Sequence, residues 1–212
     1  MNRVGVLGLQ GDFERHARSI EALGLESVRV SLPEHLEGLG ALILPGGESS
    51  TMLNLLESTG LRAPLERFVR EKAVLATCAG LILLAREADR LVRPTLGVLD
   101  VVVGRNAYGR QLHSFSERVS MPHLGGAFPG VFIRAPRILS AGTLVEVVAT
   151  REAPGSRAPE IVGVRSGRVV GLCFHPELTS DLRVHRWFLS DVAALPGVAA
   201  AHGAGARSPE AA

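Results

Sequence analysis

Short apolar segments alternate with amphipathic segments in the first half of the sequence. The apolar segments are Val4 to Leu9, Val28 to Leu32, Ala41 to Leu44 and Ala73 to Thr77. Helical periodicity separates the first two through Ile20 and Leu23, and it recurs from Ser50 to Arg70 with a predicted break near Gly60 and Pro64. This alternation is typical of β-α-β units, so the sequence predicts an α/β fold with a parallel sheet and flanking helices.

The pattern changes to strand-like segments after Leu96. They are Gly97 to Val103, Gly130 to Ile133, Leu144 to Thr150, Ile161 to Arg165 and Val169 to Phe174. We expect a small antiparallel extension joined to the mostly parallel central sheet. Helices are predicted at Leu81 to Ala88 and at Ser180 to Leu195, the latter capped by Ser180 or Thr179.

Composition limits the class of protein. A chain of 212 residues with 46% hydrophobic residues can bury the core of one domain. We assign residues 1–196 to that domain and predict that the Ala- and Gly-rich residues 197–212 form a disordered tail. The net charge is only +2, the arginines are scattered among acids, and there is one Trp and one Tyr. This pattern argues against a nucleic-acid partner.

The amino terminus, MNRVGVLGLQGDF, lacks the features of a signal peptide. Apolar runs fall short of the roughly 20 residues that span a bilayer. We therefore expect a cytoplasmic protein with no membrane partner. Two cysteines, Cys78 and Cys173, are too few for a disulfide framework.

Cys78 lies between a buried strand and an apolar helix start. Ala76 and Gly80 are the small neighbours that a sharp strand-to-helix turn requires around a nucleophile. A thiol at such a position is close to backbone N–H groups that favour the thiolate. The same local sequence also fits a small buried hydrophobic residue, so Cys78 alone does not decide between the two interpretations.

A strand beginning near Val169 ends at His175, and Glu177 follows two residues later. Side chains at strand ends gather in the active sites of open α/β sheets, and a nearby carboxylate can orient an imidazole. We therefore select His175 and Glu177 from the titratable residues. The other histidines, among them His16 and His185, are interpreted as structural. Cys173 is interpreted as a buried structural thiol because its neighbours are apolar.

The segment LPGGESST, from Leu44 to Thr51, runs from a strand through paired glycines into a capped helix. Glycines allow close approach of a ligand, and exposed N–H groups there can stabilise an oxyanion. Taken alone, this segment is better explained as an ordinary strand-to-helix turn. Gly5, Gly8 and Gly11 have the spacing GxxGxxG, which favours a tight turn over a dinucleotide loop.

Taken together, the motifs PGGES, TCAGL and HPE resemble those of the class I, triad-type glutamine amidotransferases. GVLGLQGD, VVVGRNAYGRQ, GVFIRAP and CFHPELT extend the resemblance to the glutaminase subunits of the ribose-5-phosphate-dependent pyridoxal 5′-phosphate synthases. The matching segments span Val4 to about Phe188. The resemblance implies a three-layer fold with a mostly parallel central sheet.

The resemblance also implies catalytic roles. Cys78 matches the nucleophile of the family, His175 the general base and acid, and Glu177 the residue that orients the histidine. Gly47 and Ala79 match the positions whose backbone amides form the oxyanion hole.

The resemblance implies substrate contacts at three places. They are the glycine loop at Gly47, Glu48 and Ser49, the single residue Arg105, and the pair Ile133 and Arg134. Gln10 resembles a residue near both the active site and the interface with the synthase subunit. The implied substrate is L-glutamine, hydrolysed to L-glutamate and ammonia without a metal or a cofactor. The ammonia passes to the synthase subunit in a hetero-oligomeric complex.

The sequence departs from the family pattern at several positions, none of which is a residue of the proposed triad. Ala76 replaces the usual glycine and adds a methyl group to the crowded turn. The segments His123 to Phe128 and Ala153 to Pro159 are longer or richer in glycine and proline, and the residues after Val198 match nothing in the family.

Three alternatives remain at this point. A glutaminase subunit of another synthase, such as that of histidine biosynthesis, shares the triad chemistry, although the segments around Arg105 and Arg134 argue against it. A cysteine hydrolase or chaperone-like protein of similar fold also places a cysteine after a strand, but PGGES with HPE disfavours it. Ala76 is the single indication of an inactive interaction module.

Overall fold

The computed structural model describes residues 2–105, 114–152, 155 and 158–199. The strands of this part of the chain are β1 (Arg3–Leu7), β2 (Glu26–Val30), β3 (Ala41–Leu44), β4 (Ala73–Thr77), β5 (Ala85–Ala88), β6 (Leu99–Gly104), β7 (Ser114–Met121), β8 (Gly126–Ile133), β9 (Arg137–Ala141), β10 (Glu146–Arg151), β11 (Glu160–Ser166) and β12 (Val169–Leu172). The α-helices are α1 (Phe13–Ala22), α2 (Ser49–Ser58), α3 (Arg62–Glu71), α4 (Ala79–Leu84) and α5 (Arg183–Trp187), and a π-helical segment, Phe188–Val192, continues α5.

A nine-stranded sheet with the order β2-β1-β3-β4-β12-β11-β10-β7-β8 forms the centre of the fold. The first five strands in this order are mutually parallel, and from β12 onward each pair is antiparallel. Strands β5, β6 and β9 form a second, three-stranded sheet. The predicted α/β class with an antiparallel extension is confirmed.

The burial of the central strands explains why helices form a layer on each face of the sheet. Every residue of β3, β4 and β12 is buried. Because successive residues of a strand point to opposite faces, complete burial requires cover on both faces of the sheet. Helix α1 packs against β1 and β2, and α4 packs against β3, β4 and β12.

The break between α2 and α3 differs from the prediction at Pro64. The helices are interrupted from Thr59 to Leu61, next to Gly60, whose φ is +69°. Pro64 instead lies in the first turn of α3. The prediction was wrong there because first-turn N–H groups have no partner within a helix, so proline loses nothing at that position.

Two other predicted helices were partly wrong. The segment Leu81 to Ala88 is helical only to Leu84, and Ala85–Ala88 is strand β5, which pairs in parallel with β6. The last helix begins at Arg183 and not at Ser180. Asp181 Oδ1 accepts the Arg183 N–H at 3.0 Å, so the predicted caps Ser180 and Thr179 are wrong.

Two strands, β7 and β9, are absent from the sequence prediction. Residues 200–212 of the predicted tail and residues 106–111 of the motif VVVGRNAYGRQ lie outside the described residues. Ala199, within the predicted tail, donates its N–H to the Leu23 carbonyl oxygen at 2.9 Å. In the described part of the chain, no helix has both the length and the apolar character needed to cross a membrane.

Candidate active site

Cys78 lies at the turn between β4 and α4 and has a strained backbone. Its φ of 48° and ψ of −107° are unusual for a residue with a side chain. A Cβ added to Gly80 would lie 2.2 Å from the Leu44 carbonyl oxygen, so only glycine fits there. Ala76 is fully buried and paired with Leu44 and Gly171, which shows that the turn accommodates its methyl group.

His175 follows β12, the strand next to β4 in the sheet. Its backbone N–H donates to the Val131 carbonyl oxygen of β8 at 2.8 Å. Cys78 N–H donates to the Leu172 carbonyl oxygen at 2.8 Å, which ties the turn to β12. These backbone bonds bring the Cys78 and His175 side chains together in one cleft, and the neighbouring thiol is one of the groups that raise the pKa of His175.

Glu177 holds the other side of the imidazole. His175 Nδ1 lies 2.7 Å from Glu177 Oε1, and Glu177 is only 4% exposed. Since a carboxylate can only accept, Nδ1 carries the proton and donates it to Oε1. The structure thus brings the three predicted triad residues into one connected group.

The pKa values of His175 and Glu177 differ strongly from their ordinary values. Burial disfavours a charged His175, but its hydrogen bonds with Cys78 and Glu177 outweigh burial and raise its pKa to about 10. Burial also opposes ionisation of Glu177, yet the facing His16 and His175 lower its pKa to about 2. At neutral pH the pair is therefore an imidazolium and a carboxylate.

The two cysteines have different surroundings. Cys78 is 7% exposed, and its Sγ lies 3.8 Å from the Ile133 carbonyl oxygen. Cys173 is fully buried, and burial together with the nearby Cys78 and Glu160 raises its pKa well above the usual range. Cys173 therefore stays a protonated, inaccessible thiol, as its apolar neighbours indicated.

The glycine loop lies directly over the histidine ring. A Cβ added to Gly46 would lie 2.3 Å from His175 Cε1 and within 3.2 Å of both ring nitrogens. The Gly47–Glu48 peptide is held from the loop after β1, because Gln10 Oε1 accepts the Glu48 N–H at 2.9 Å. Ala79 is the first residue of α4, so its N–H has no acceptor within that helix.

Glu48 and Arg105 contact each other. Glu48 caps α2 by accepting the Ser50 and Thr51 N–H groups at 3.2 and 2.6 Å. Burial opposes ionisation of Glu48, but these hydrogen bonds outweigh it and lower its pKa. Arg105 Nη2 donates to Glu48 Oε1 and to Ser50 Oγ, each at 3.2 Å. The loop is thereby joined to the end of β6.

One cleft of about 480 Å³ contains most of the predicted site. Every predicted site residue lines this cleft except Glu177, which lies behind His175: the lining includes Gln10, Gly47, Glu48, Ser49, Cys78, Ala79, Arg105, Ile133, Arg134 and His175. Another cleft, of about 570 Å³, is bordered by residues 86–95 and contains neither cysteine nor histidine.

Sequence reasoning missed three members of the site. Gly46 shields the ring of His175, and its place in the pair Gly46-Gly47 was an available signal. Asp89 Oδ1 accepts the Arg105 N–H at 2.6 Å, and nothing in its local sequence indicates this contact. His16, interpreted as structural, lies 3.3 Å from Glu177 through its Nε2 and the carboxylate Oε2.

Comparison with known proteins decides the family. The model of the SNO glutamine amidotransferase family matches residues 6–194. The chain belongs to this family. The pyridoxal 5′-phosphate synthase subunit PdxT of Geobacillus kaustophilus is 48% identical over 191 residues, which cover 90% of this chain and 94% of the relative. PdxT of Thermotoga neapolitana is 45% identical over 192 residues, covering 90% and 99%.

Solved structures agree with the family assignment. A crystal structure of a glutamine amidotransferase has a TM-score of 0.83 and 47% identity, and the match covers 91% of this chain and 99% of that one. The structure of PurLQS from Thermotoga maritima has a TM-score of 0.66 at 18% identity, with 89% and 97% covered. The second match shows only that the amidotransferase fold is shared.

Proposed function

We propose that this chain is the glutaminase subunit of a pyridoxal 5′-phosphate synthase. It hydrolyses L-glutamine to L-glutamate and ammonia, and the ammonia is used by a partner synthase subunit. The observation that carries the proposal is the connected group of Cys78, His175 and Glu177 beneath the glycine loop. The relatives named PdxT, at 45–48% identity over most of the chain, support the pathway.

The first half of the proposed reaction is acyl transfer. The sulfur of Cys78 attacks the side-chain carbonyl carbon of glutamine while His175 holds the proton that the thiol has lost. The oxyanion that forms is stabilised by backbone N–H groups of Gly47 and Ala79. His175 then gives its proton to the leaving nitrogen, and ammonia departs from a γ-glutamyl thioester.

Water completes the cycle. His175 removes a proton from the water as it attacks the thioester carbon. Collapse of the second tetrahedral intermediate breaks the carbon–sulfur bond, releases glutamate and returns the proton to the Cys78–His175 pair. Glu177 remains ionised throughout and stabilises the imidazolium. Each step uses protein groups and water alone.

Glutamine recognition is assigned to the rim of the cleft. The α-carboxylate and α-ammonium of glutamine carry opposite charges, and the rim supplies both signs through Arg105, Arg134 and Glu48. Ser49 and Ile133 complete the proposed substrate contacts. Since Arg105 and Glu48 already contact each other, substrate binding replaces or extends that pair.

The partner acts through the glycine loop. Gln10 holds the Glu48 N–H and lines the cleft, so a synthase subunit that contacts the Gln10 turn can change the position of the loop. We propose that isolated chains are weakly active until the synthase orders the oxyanion hole. Residues 1–196 form the proposed glutaminase domain, and residues 197–212 are a tail outside it. It places the reaction in the cytoplasm without membrane or nucleic-acid partners.

The deciding experiment measures glutamate formation with and without the ribose-5-phosphate-dependent synthase subunit from the same source. We expect stimulation by the synthase and no activity in Cys78→Ala, with Cys173→Ala as the matched cysteine control. Full activity of Cys78→Ala would exclude the mechanism. Stimulation by a different ammonia-using synthase, but not by this one, would exclude the pathway.

A further inference from the structure

Two buried histidines outside the triad lie behind Glu177. His16 on α1 and His185 on α5 are both fully buried. His16 Nδ1 lies 2.9 Å from His185 Nε2, and His16 Nε2 lies 3.3 Å from Glu177 Oε2. A continuous series of polar side chains therefore runs from Cys78 through the triad to two helices. Such buried polar groups destabilise a core unless they are paired.

The position of each proton follows from the available donors. Glu177 Oε2 is buried, can only accept, and has no aligned hydrogen-bond partner in the described part of the chain. An unprotonated Nε2 of His16 would place its lone pair against that oxygen, so the single proton of a neutral His16 belongs on Nε2. At 3.3 Å the contact is slightly longer than an ordinary hydrogen bond, and such bonds shorten when substrate is bound.

His185 then completes the pattern. With its proton on Nε2, His16 accepts at Nδ1, and the donor is the Nε2–H of His185. The remaining nitrogen, His185 Nδ1, has no partner among the described residues and is left unprotonated. This assignment agrees with the rarity of unpaired buried N–H groups compared with unpaired acceptors.

Both histidines are neutral at physiological pH. Burial lowers the pKa of His16, helped by repulsion from His175 and opposed by attraction to Glu177 and Asp12. Burial also lowers the pKa of His185 to about 3, again helped by His16 and opposed by Glu177. These are the charged and titratable groups that face the two rings from α1, from α5 and from the segment after β12.

We propose that His16 and His185 are positioning residues for the triad: His16 donates to the second oxygen of Glu177, and His185 fixes the orientation of the His16 ring. With both oxygens held, the carboxylate keeps one plane and directs the Nδ1–H of His175. Thr77 Oγ1, one residue before the nucleophile, lies 3.4 Å from His16 Nε2 and also limits rotation of the ring. The inference rests on the proposed glutaminase reaction, which it deepens.

The test compares His16→Leu, His16→Gln, His185→Leu and the double variant His16→Leu/His185→Leu in the full chain with its synthase partner. Leucine removes the donor, whereas the side-chain amide of glutamine returns an N–H near the position of Nε2. Ile20→Val is the matched control because Ile20 is on the same helix and equally buried. Circular dichroism measures the folded fraction of each variant.

We expect kcat of His16→Leu to fall by about 10- to 100-fold, the usual effect of losing a partner that orients a site residue, with KM unchanged. His16→Gln recovers most of the loss, and Ile20→Val has wild-type kcat. Because His185 acts through His16, the double variant has the same kcat as His16→Leu. The proposal would be overturned if the two single losses of kcat multiplied in the double variant. It would also be overturned if the loss of kcat in His16→Leu equalled its loss of folded protein and His16→Gln did not recover it.

Two readouts do not require turnover. The downfield proton resonance of the His175–Glu177 hydrogen bond, and the pH profile of Cys78 alkylation by iodoacetamide, both report the His175 environment. Without His16 the Glu177 carboxylate is no longer held in one plane, its hydrogen bond with His175 weakens and the pKa of His175 falls, so the basic limb of alkylation moves to lower pH. If His16→Leu does not fold, His185→Leu decides through the same readouts, and an unchanged resonance and profile overturn the proposal.

These readouts separate the two proposals. If the wild-type chain shows no glutaminase activity with the synthase subunit, the proposed function fails, while the alkylation profile and the proton resonance still test the positioning role. If the function holds but both readouts are unchanged in folded His16→Leu, only the positioning role fails.

Discussion

Gly46 has no room for a side chain, and Gly46→Ala therefore tests where the catalytic ring lies. The added Cβ would lie 2.3 Å from His175 Cε1, whereas ordinary contact begins at 3.4 Å. The ring or the loop must move by the difference of 1.1 Å. Gly46 is not among the described glycines with a positive φ. The steric contact of the added Cβ, and not backbone strain, therefore determines the effect of Gly46→Ala.

A displacement of about 1 Å at a reacting group reduces the rate by about 100-fold, or roughly 2.7 kcal/mol of barrier. The ring is held by its 2.7 Å bond to Glu177, so moving it also strains that pair. Overpacking of this kind destabilises the fold by about 1–3 kcal/mol. We expect kcat to fall by about two orders of magnitude while the chain stays folded.

The assay is glutamate release at saturating glutamine with the synthase subunit present, beside urea unfolding of the isolated chain. Gly5→Ala is the matched control, because its Cβ would lie 2.5 Å from Leu39 Cδ1 in the core under β1. It should lose comparable stability and keep kcat per folded molecule. Wild-type kcat in Gly46→Ala, or an equal loss in Gly5→Ala, would refute the reasoning.

Three further outcomes are expected. Ala76→Gly should reduce the free energy of unfolding by about 0.5–1 kcal/mol, as glycine does within a strand, and leave kcat unchanged, as chemical denaturation and the glutaminase assay will check. Ionised Glu177, whose pKa is lowered to about 2, stabilises the folded state at pH values above the ordinary carboxyl pKa. This contribution, roughly 3 kcal/mol, is lost as the pH falls from about 4.5 to 2. Glu177→Gln should therefore show a shallower decline of unfolding free energy across that window, and an unchanged slope would contradict the assignment. Iodoacetamide should label Cys78 and leave Cys173 unmodified in the folded protein, as peptide mass mapping will determine; equal labelling would show that Cys173 is accessible.

The parts of the site that depend on local sequence were predictable. The strand before Cys78 has a continuous apolar pattern, and the small residue Gly80 is required because the Leu44 carbonyl oxygen leaves no space for a Cβ. The position of His175 just beyond a buried strand was predictable from the apolar run that begins at Val169, although β12 ends at Leu172 and not directly before Pro176. Both signals lie within a few residues of the functional side chain.

Contacts between distant segments were not predictable. His16 has the periodicity of a buried helical residue, and its partner His185 is 169 positions away. The helix expected over Leu81 to Ala88 ends early because Ala85–Ala88 pairs with β6, a tertiary interaction that outweighs local preference. Strand β7 carried a usable signal, since Phe115, Val119 and Met121 alternate with polar residues.

The register between β4 and β12 has a consequence for how such a chain can change. Thr77 is paired with Leu172, so Cys78 and His175 follow adjacent strands whose spacing of about 4.8 Å is fixed by backbone hydrogen bonds. Insertions in outer loops lengthen the chain without altering that spacing. The turn residues His123 to Gly125 of the unusual segment, between β7 and β8, are of this kind. A surface that meets a partner can thus diverge freely while the dimensions of the reaction centre are inherited intact.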